Sequence, residues 1–263
     1  MKAIAPRAPL DTRWDWLRER VAPNIAVLTE AQVPTPGPPN GWSACWRLGG
    51  LGPKRRWGTV IAGHGCDLVE VTEVQRTMRR PTPLASTWPG SVVACDVFTG
   101  ARRWGTVIGI YGITMTAPDG ERCGHGRHSV PRLLDDLAPL VEDRSRRDRL
   151  VVAGDLNIGA NEALIDDLFT DRGLVDLIDE TADHRAPLDG CAYCDTPERS
   201  ERCGHLWTHK NGTSPRAARQ QIDFIFATES LVFDLIEVSG GAQSYPDAFD
   251  LSDHAPVVAD FRP

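Results

Sequence analysis

Val151-Val152-Ala153-Gly154-Asp155-Leu156-Asn157 is an apolar run that stops at a glycine and two short polar side chains. Leu150 to Ala153 have the continuous apolar character of a strand covered on both faces, and Gly154 admits a turn or a close approach that a Cβ would hinder. Asp155 and Asn157 then stand at the strand's carboxyl end. Residues two apart in a strand share a face, so with strand geometry carried through to Asn157 the carboxylate and the amide project together while Leu156 returns to the core. Such a pair can hold a water or a metal ion and donate a hydrogen bond to an anion, which are the needs of hydrolysis at a phosphorus centre. The plainer alternative is an Asx-type turn with two exposed polar residues.

Working outward, Val130, Leu133, Leu134, Leu137, Leu140 and Val141 fall on one stripe before the strand, predicting a helix capped by Ser129 with Pro131 in its first turn. A second helix is predicted from Asn161, with Leu164, Ile165, Leu168 and Phe169 apolar and Gly173 as its stop. Nearer the N-terminus, Asp11 or Thr12 caps a helix with Trp14, Leu17 and Val21 on one face, ended by Pro23; a short strand, Ile25 to Leu28, then delivers Thr29-Glu30. Between Trp42 and Gly112 lie β-rich runs at Trp42–Trp46, Trp57–Ala62, Leu68–Val74, Ser91–Val97 and Thr106–Tyr111, the last bringing a phenol to a strand end. Leu174–Ile178, Leu206–Thr208, Gln221–Ala227, Leu231–Val238 and Ala255–Phe261 also read as strands. Nothing resembles a linker, so residues 1–263 are expected to form a single α/β domain dominated by sheet.

The chain's 41% hydrophobic and 25% charged residues are ordinary for a globular protein. A net charge of -7 argues against broad electrostatic attraction to nucleic acid, although arginine doublets at 55–56, 79–80, 102–103 and 146–147 can supply a local basic patch. Met1 to Leu10 carry Lys2 and Arg7, and their apolar residues are interrupted by Pro6 and Pro9, which is neither an export signal nor a membrane span. A cytoplasmic monomer that does not engage membranes is the expectation. The seven cysteines then read as reduced thiols or metal ligands rather than disulfides.

Polar clusters among the later strands sharpen the reading of Asp155. Asp223 interrupts the apolar strand Gln221-Ile222-Asp223-Phe224-Ile225-Phe226, where a buried carboxylate is costly without a partner. Ser252-Asp253-His254 places a carboxylate and an imidazole just before the last strand. Glu30, Gly154-Asp155-Leu156-Asn157, Asp223 and Ser252-Asp253-His254, in that order and each at the edge or interior of a strand, resemble the endonuclease/exonuclease/phosphatase superfamily, which includes apurinic endonucleases and deoxyribonuclease I. The resemblance covers Glu30 to the C-terminus. It implies two mixed β-sheets packed face to face with helices outside, a four-layer α/β sandwich, and hydrolysis of phosphodiesters or phosphomonoesters with Mg²⁺ or Mn²⁺.

The same resemblance implies a role for each residue. Glu30, Asp155 and Asp253 would belong to the metal site, and Asp155 would also position or deprotonate the attacking water. Asn157 would help hold the phosphate or nucleophile, His254 would contact the phosphate, Asp223 would fix the His254 tautomer and favour the imidazolium, and Tyr111 would reach a phosphate oxygen. In the family a strand bearing an asparagine metal ligand precedes the first helix. Met1 to Leu10 contain prolines and no asparagine. That strand and that ligand are therefore expected to be missing, leaving an unpaired edge beside the Glu30 strand, a metal site one ligand short, and a weak or unstable protein unless residues upstream of Met1 are restored. The competing expectation is a non-catalytic or vestigial relative that acts as a binding protein.

The expected substrate is a phosphate ester, with nucleic acid and small esters both fitting the motifs. Separately, Cys191, Cys194, Cys203 and His205 supply four ligands in one short polar stretch, a spacing that can close a structural Zn²⁺ site, with His209 as a substitute ligand.

Overall fold

The computed structural model describes residues 9–48, 57–75, 81–113, 115–116, 122–123, 126–160, 164–188, 191, 193–194, 203–212, 214 and 217–262. In chain order the main strands are β1 (Ile25–Ala31), β2 (Trp42–Leu48), β3 (Gly58–His64), β4 (Asp67–Glu70), β5 (Val92–Thr99), β6 (Arg102–Ile110), β7 (Leu150–Asp155), β8 (Leu174–Asp176), β9 (Asp223–Thr228), β10 (Leu235–Gly240) and β11 (Val257–Phe261). The principal helices are α1 (Leu10–Trp16), α2 (Gly126–Val141) and α3 (Leu164–Thr170).

The apolar run is β7, and it lies inside a six-stranded mixed sheet of order β8-β9-β7-β6-β5-β4. It pairs in parallel with β6 and antiparallel with β9. Leu150, Val151, Val152 and Ala153 are all buried, as a strand covered on both faces requires. The leucines of the α2 stripe at 133, 134, 137 and 140 are buried in the same core, which also takes Ile165 and Phe169 of α3. On the opposite face stands an antiparallel sheet of order β1-β3-β2. The two sheets come close at Gly109 of β6, where a Cβ would lie 2.7 Å from Thr59 and 3.0 Å from Val27. Trp14 and Leu17 cluster with Ala26, Trp42, Val60 and Ala62 of the smaller sheet, and Trp14 meets Trp42 edge to face. Helix, sheet, sheet and helix give the expected four-layer α/β sandwich.

Local signals differ from the structure in instructive places. Helix α1 begins at Leu10 after Pro9, with no side-chain cap, and continues as a π-helical turn over Leu17–Val21. Ser129 lies inside α2, and its hydroxyl accepts the Ile113 N–H at 2.9 Å, so the residue serves the loop after β6 instead of the helix end. The Leu231–Val238 run divides into a helical turn, Glu229–Val232, and β10, because Leu231 is buried while Asp234 turns out to pair with Arg149 at 2.9 Å. Leu206–Thr208 is irregular backbone whose hydrogen-bonding groups are met by side chains and loops. Asn161 lies outside the described residues; Gly173 follows α3 with φ +70°, the left-handed stop expected there.

The arginine doublets contribute less free charge than their sequence implies. Arg103 and Arg146 both bind the buried Asp96, Arg146 at 2.8 Å, while Thr106 donates to the same carboxylate at 2.6 Å. Arginines 55, 56, 79 and 80 lie outside the described residues. Burial pushes the Asp96 carboxyl up, but Arg146, Thr106 and Arg103 outweigh it and hold it below its usual value of 3.8. Because the folded value is the lower one, the group's stabilisation is present above the unfolded value and is lost as pH falls through the folded one. Asp96→Asn is expected to cost about 2 kcal/mol at neutral pH and to flatten the acid limb of stability. Urea midpoints of both proteins from neutral pH down to acid check this.

Beside Glu30 the smaller sheet stops. Among the described residues, the β1 edge away from β3 pairs with no strand, and β11 is likewise paired on one side only, with β10. Residues of both strands line a cavity of about 830 Å³, together with Trp14, Leu17, Val151, Ala153 and Ile225. Residues 1–8, on which the expected missing strand and unpaired edge turn, lie outside the described residues. No helix among the described residues is long and apolar enough to cross a membrane.

Candidate active site

Four separate stretches of chain converge at the carboxyl end of β7. The antiparallel register of β7 and β9 sets Asp155 directly opposite Asp223. Strand geometry does not carry through to Asn157 as the sequence pattern implies. The strand ends at Asp155, and Asn157 adopts a left-handed conformation with φ +52°. The two side chains still meet, by an Asx turn: Asp155 accepts the Asn157 backbone N–H at 2.7 Å and its side-chain amide at 3.2 Å. Leu156 is buried, as expected.

This turn is clamped against the end of β6. Gly112 donates its N–H to the Asp155 carbonyl at 2.7 Å, and its own carbonyl accepts the Asn157 side-chain amide at 2.7 Å. A Cβ on Gly112 would fall 2.0 Å from the Leu156 carbonyl oxygen, so only glycine admits this contact. Glu30 arrives from β1, where the register with β3 shifts between Leu28 and Ala31 and Glu30 takes φ +49°. The Tyr111 hydroxyl donates to the Glu30 carboxylate. In this structure the tyrosine orients a carboxylate, where the resemblance had it reaching a phosphate oxygen.

His254 completes the group. Its Nδ1 faces Asp223 at 2.9 Å and its Nε2 points toward Asp155 at 3.9 Å. Burial alone would lower the imidazole's pKa, but the carboxylates of Asp223, Asp155 and Asp253 outweigh it and raise it to about 10, so the ring is a cation at neutral pH. The Asp155 carboxyl is raised too: burial, then the charges of Asp223 and Glu30, push it well above 3.8 despite His254 and the Asn157 N–H. Asp253 brings a carboxylate oxygen to within 4.8 Å of ring nitrogens of both His209 and His254.

His209 is the residue that sequence reasoning placed elsewhere. It was expected as a spare ligand for the cysteine cluster, yet its ring lies 4.8 Å from that of His254 and its backbone bridges to the same residue. Burial and the neighbouring His254 charge hold it below the usual histidine value. The signal available in sequence was the Thr208-His209 pair bordering a polar loop, which carries no information about a partner 45 residues on.

Glu30, Asp223, Asp253 and His254 line one end of the 830 Å³ cavity. The assembled groups are oxygen-rich, with the His254 ring set among the carboxylates of Asp155, Asp223 and Asp253. They can hold a hard cation, orient a water, and donate to an anion.

No protein-family model and no curated protein matches this sequence. Solved structures do match its fold. An AP endonuclease from Archaeoglobus fulgidus is similar with a TM-score of 0.62 at 17% identity, over 96% of this chain and 93% of that one. The AP endonuclease LMAP from Leishmania major gives 0.63 at 14% identity, over 99% and 86%. A 3'-5' exonuclease (NExo) from Neisseria meningitidis gives 0.59 at 17%, over 98% and 97%. The chain therefore has the endonuclease/exonuclease/phosphatase fold.

Proposed function

We propose that this chain belongs to the endonuclease/exonuclease/phosphatase superfamily and is a divalent-metal-dependent hydrolase of phosphate esters, acting as a phosphodiesterase or nuclease. The observation that carries the reading is the Asp223–His254 pair, 2.9 Å apart, whose other ring nitrogen is aimed at Asp155 and the Asn157 turn. Nucleic acid as substrate draws support from neighbours of the same fold, among them NExo from Neisseria bound to product DNA hairpin and TDP2 from D. rerio complexed with single strand DNA product.

The residues present fit Mg²⁺ or Mn²⁺. Asp155 is buried beside two further carboxylates, Asp223 and Glu30, a surplus of negative charge that a hard cation with oxygen ligands relieves. Glu30, Asp155 and Asp253 would hold it. Bound there, such an ion would supply Lewis acidity toward a phosphoryl oxygen and toward the attacking water. The chain's own groups do the rest. Asp155 orients the attacking water and takes its proton, and Asn157 holds the nucleophile or a phosphate oxygen through its amide. The His254 cation donates through Nε2 to the charge that develops on the phosphate, while Asp223 keeps the ring turned to the site. Tyr111 fixes the Glu30 carboxylate.

The β1 edge, which pairs with no strand among the described residues, supports a second reading, a non-catalytic binding protein with a metal site one ligand short. A panel of single- and double-stranded DNA, RNA, sugar phosphates and lipid head groups, each with Mg²⁺ or Mn²⁺ and with excess chelator, separates the two. Hydrolysis that stops with chelator is expected. Metal binding without turnover of any substrate favours the binding protein.

A further inference from the structure

Away from the acidic site, Cys191, Cys194 and Cys203 surround one nitrogen of His205. Their sulfurs stand 3.5, 3.6 and 3.4 Å from His205 Nδ1. All four ligand atoms lie within 4.8 Å of one another. A tetrahedral zinc with bonds of about 2.3 Å to sulfur and about 2.0 Å to nitrogen places sulfur and nitrogen roughly 3.5 Å apart. The three distances agree with that figure to about a tenth of an ångström. A disulfide would draw two sulfurs together and leave the third without a role, whereas here all three converge on the same imidazole nitrogen. Cys191 and Cys203 are buried, and Cys194 and His205 are half-buried.

We infer that Cys191, Cys194, Cys203 and His205 form a closed structural zinc site that braces the segment Gln221–Asp223. Four protein ligands leave no coordination position for water, so the ion stabilises instead of reacting. Its effect is carried by the residues between and after the ligands. Tyr193, inside the Cys191–Cys194 turn, accepts the Gln221 N–H through its hydroxyl at 2.9 Å. Leu206, next to His205, donates its N–H to the Gln221 side chain at 2.9 Å. Thr208 accepts the N–H groups of Ile222 and Asp223 at 3.1 and 3.2 Å. The stretch from Cys203 to Thr208 has no strand of its own and is held by single bonds to several elements, among them Arg185 to the Gly204 carbonyl at 2.9 Å and Ala255 to the Thr208 carbonyl at 2.7 Å, with the zinc fixing its first turn. Gln243 ties it from the other side, accepting the Trp207 N–H at 3.2 Å.

Asp223 is thereby positioned through its backbone by a site that never touches substrate. This last step rests on the hydrolase reading; the zinc site itself does not. The test begins with elemental analysis of protein purified without chelator, expected to give one zinc per chain, and with Co²⁺ replacement, expected to give the absorption of a tetrahedral thiolate site. Zinc absent, and Co²⁺ without thiolate bands, would overturn the site. Cys194→Ser, at the less buried position, is expected to lower zinc occupancy at least tenfold under mild chelation; unchanged occupancy would also overturn it. For the brace, amide hydrogen exchange at Ile222 and Asp223 should accelerate about tenfold or more when zinc is stripped from the unaltered protein, with α2 amides unchanged. Exchange at Ile222 and Asp223 that ignores zinc removal rejects the brace. Because zinc content and exchange are read without any substrate, an inactive protein that holds zinc would count against the hydrolase reading and not against this one.

Discussion

His254→Ala is expected to retain the fold and lose hydrolysis by about a hundredfold to a thousandfold, the usual consequence of removing a charged donor from the charge that develops in a transition state. Among the described residues the ring is the cation paired with Asp155, and its orientation depends on Asp223 at 2.9 Å. Its removal takes away the cation and leaves the Asp155, Asp223 and Asp253 carboxylates without their shared counter-charge. Turnover of a chromogenic phosphodiester at saturating metal, alongside circular dichroism of the same preparation, measures both halves of the expectation. A folded variant with native turnover would remove His254 from the chemistry.

Asp155→Asn should be at least as severe, on the order of 10² to 10⁴ in rate, since the amide cannot take a proton from water. Its second effect distinguishes it from the histidine variant. In the unaltered chain, Mg²⁺ or Mn²⁺ at a hundred times its dissociation constant is expected to stabilise the fold by about 2.7 kcal/mol. An ion held there would relieve the crowding of Asp155 by Asp223 and Glu30, so the asparagine variant, with one charge fewer in that group, should melt at nearly the same temperature with and without metal. Differential scanning calorimetry in metal and in chelator reads this directly. An undiminished metal-dependent shift would place the cation elsewhere.

Much of the scaffold is readable from local chemistry. The run from Leu150 to Ala153 can only be satisfied by cover on both faces, and the α2 leucines repeat at the spacing of a helix. Asp223 betrays itself as a carboxylate inside an apolar strand, and its partner Asp155 follows once the two strands are known to be neighbours. What stays hidden is set by register and by contacts between distant elements. The route of Asn157 depends on Gly112 approaching from another strand, which no periodicity encodes. The Tyr111–Glu30 and His209–His254 contacts likewise join residues whose own neighbourhoods give no hint of each other. Ser129 misled because a serine before an apolar stripe is chemically a good cap, and a loop outside the helix claimed its hydroxyl first.

Glu30 and Asn157 both sit with positive φ, at +49° and +52°. For a side chain larger than glycine that conformation costs about 1 kcal/mol, less for asparagine than for glutamate. Glycine at either position would relieve that backbone cost but forfeit a bond, the Asn157 amide to the Gly112 carbonyl or the Tyr111 hydroxyl to Glu30. Persistence of glutamate and asparagine there, through any lineage descended from this sequence, would record selection for what the side chains do against a steady pull from the backbone they are mounted on.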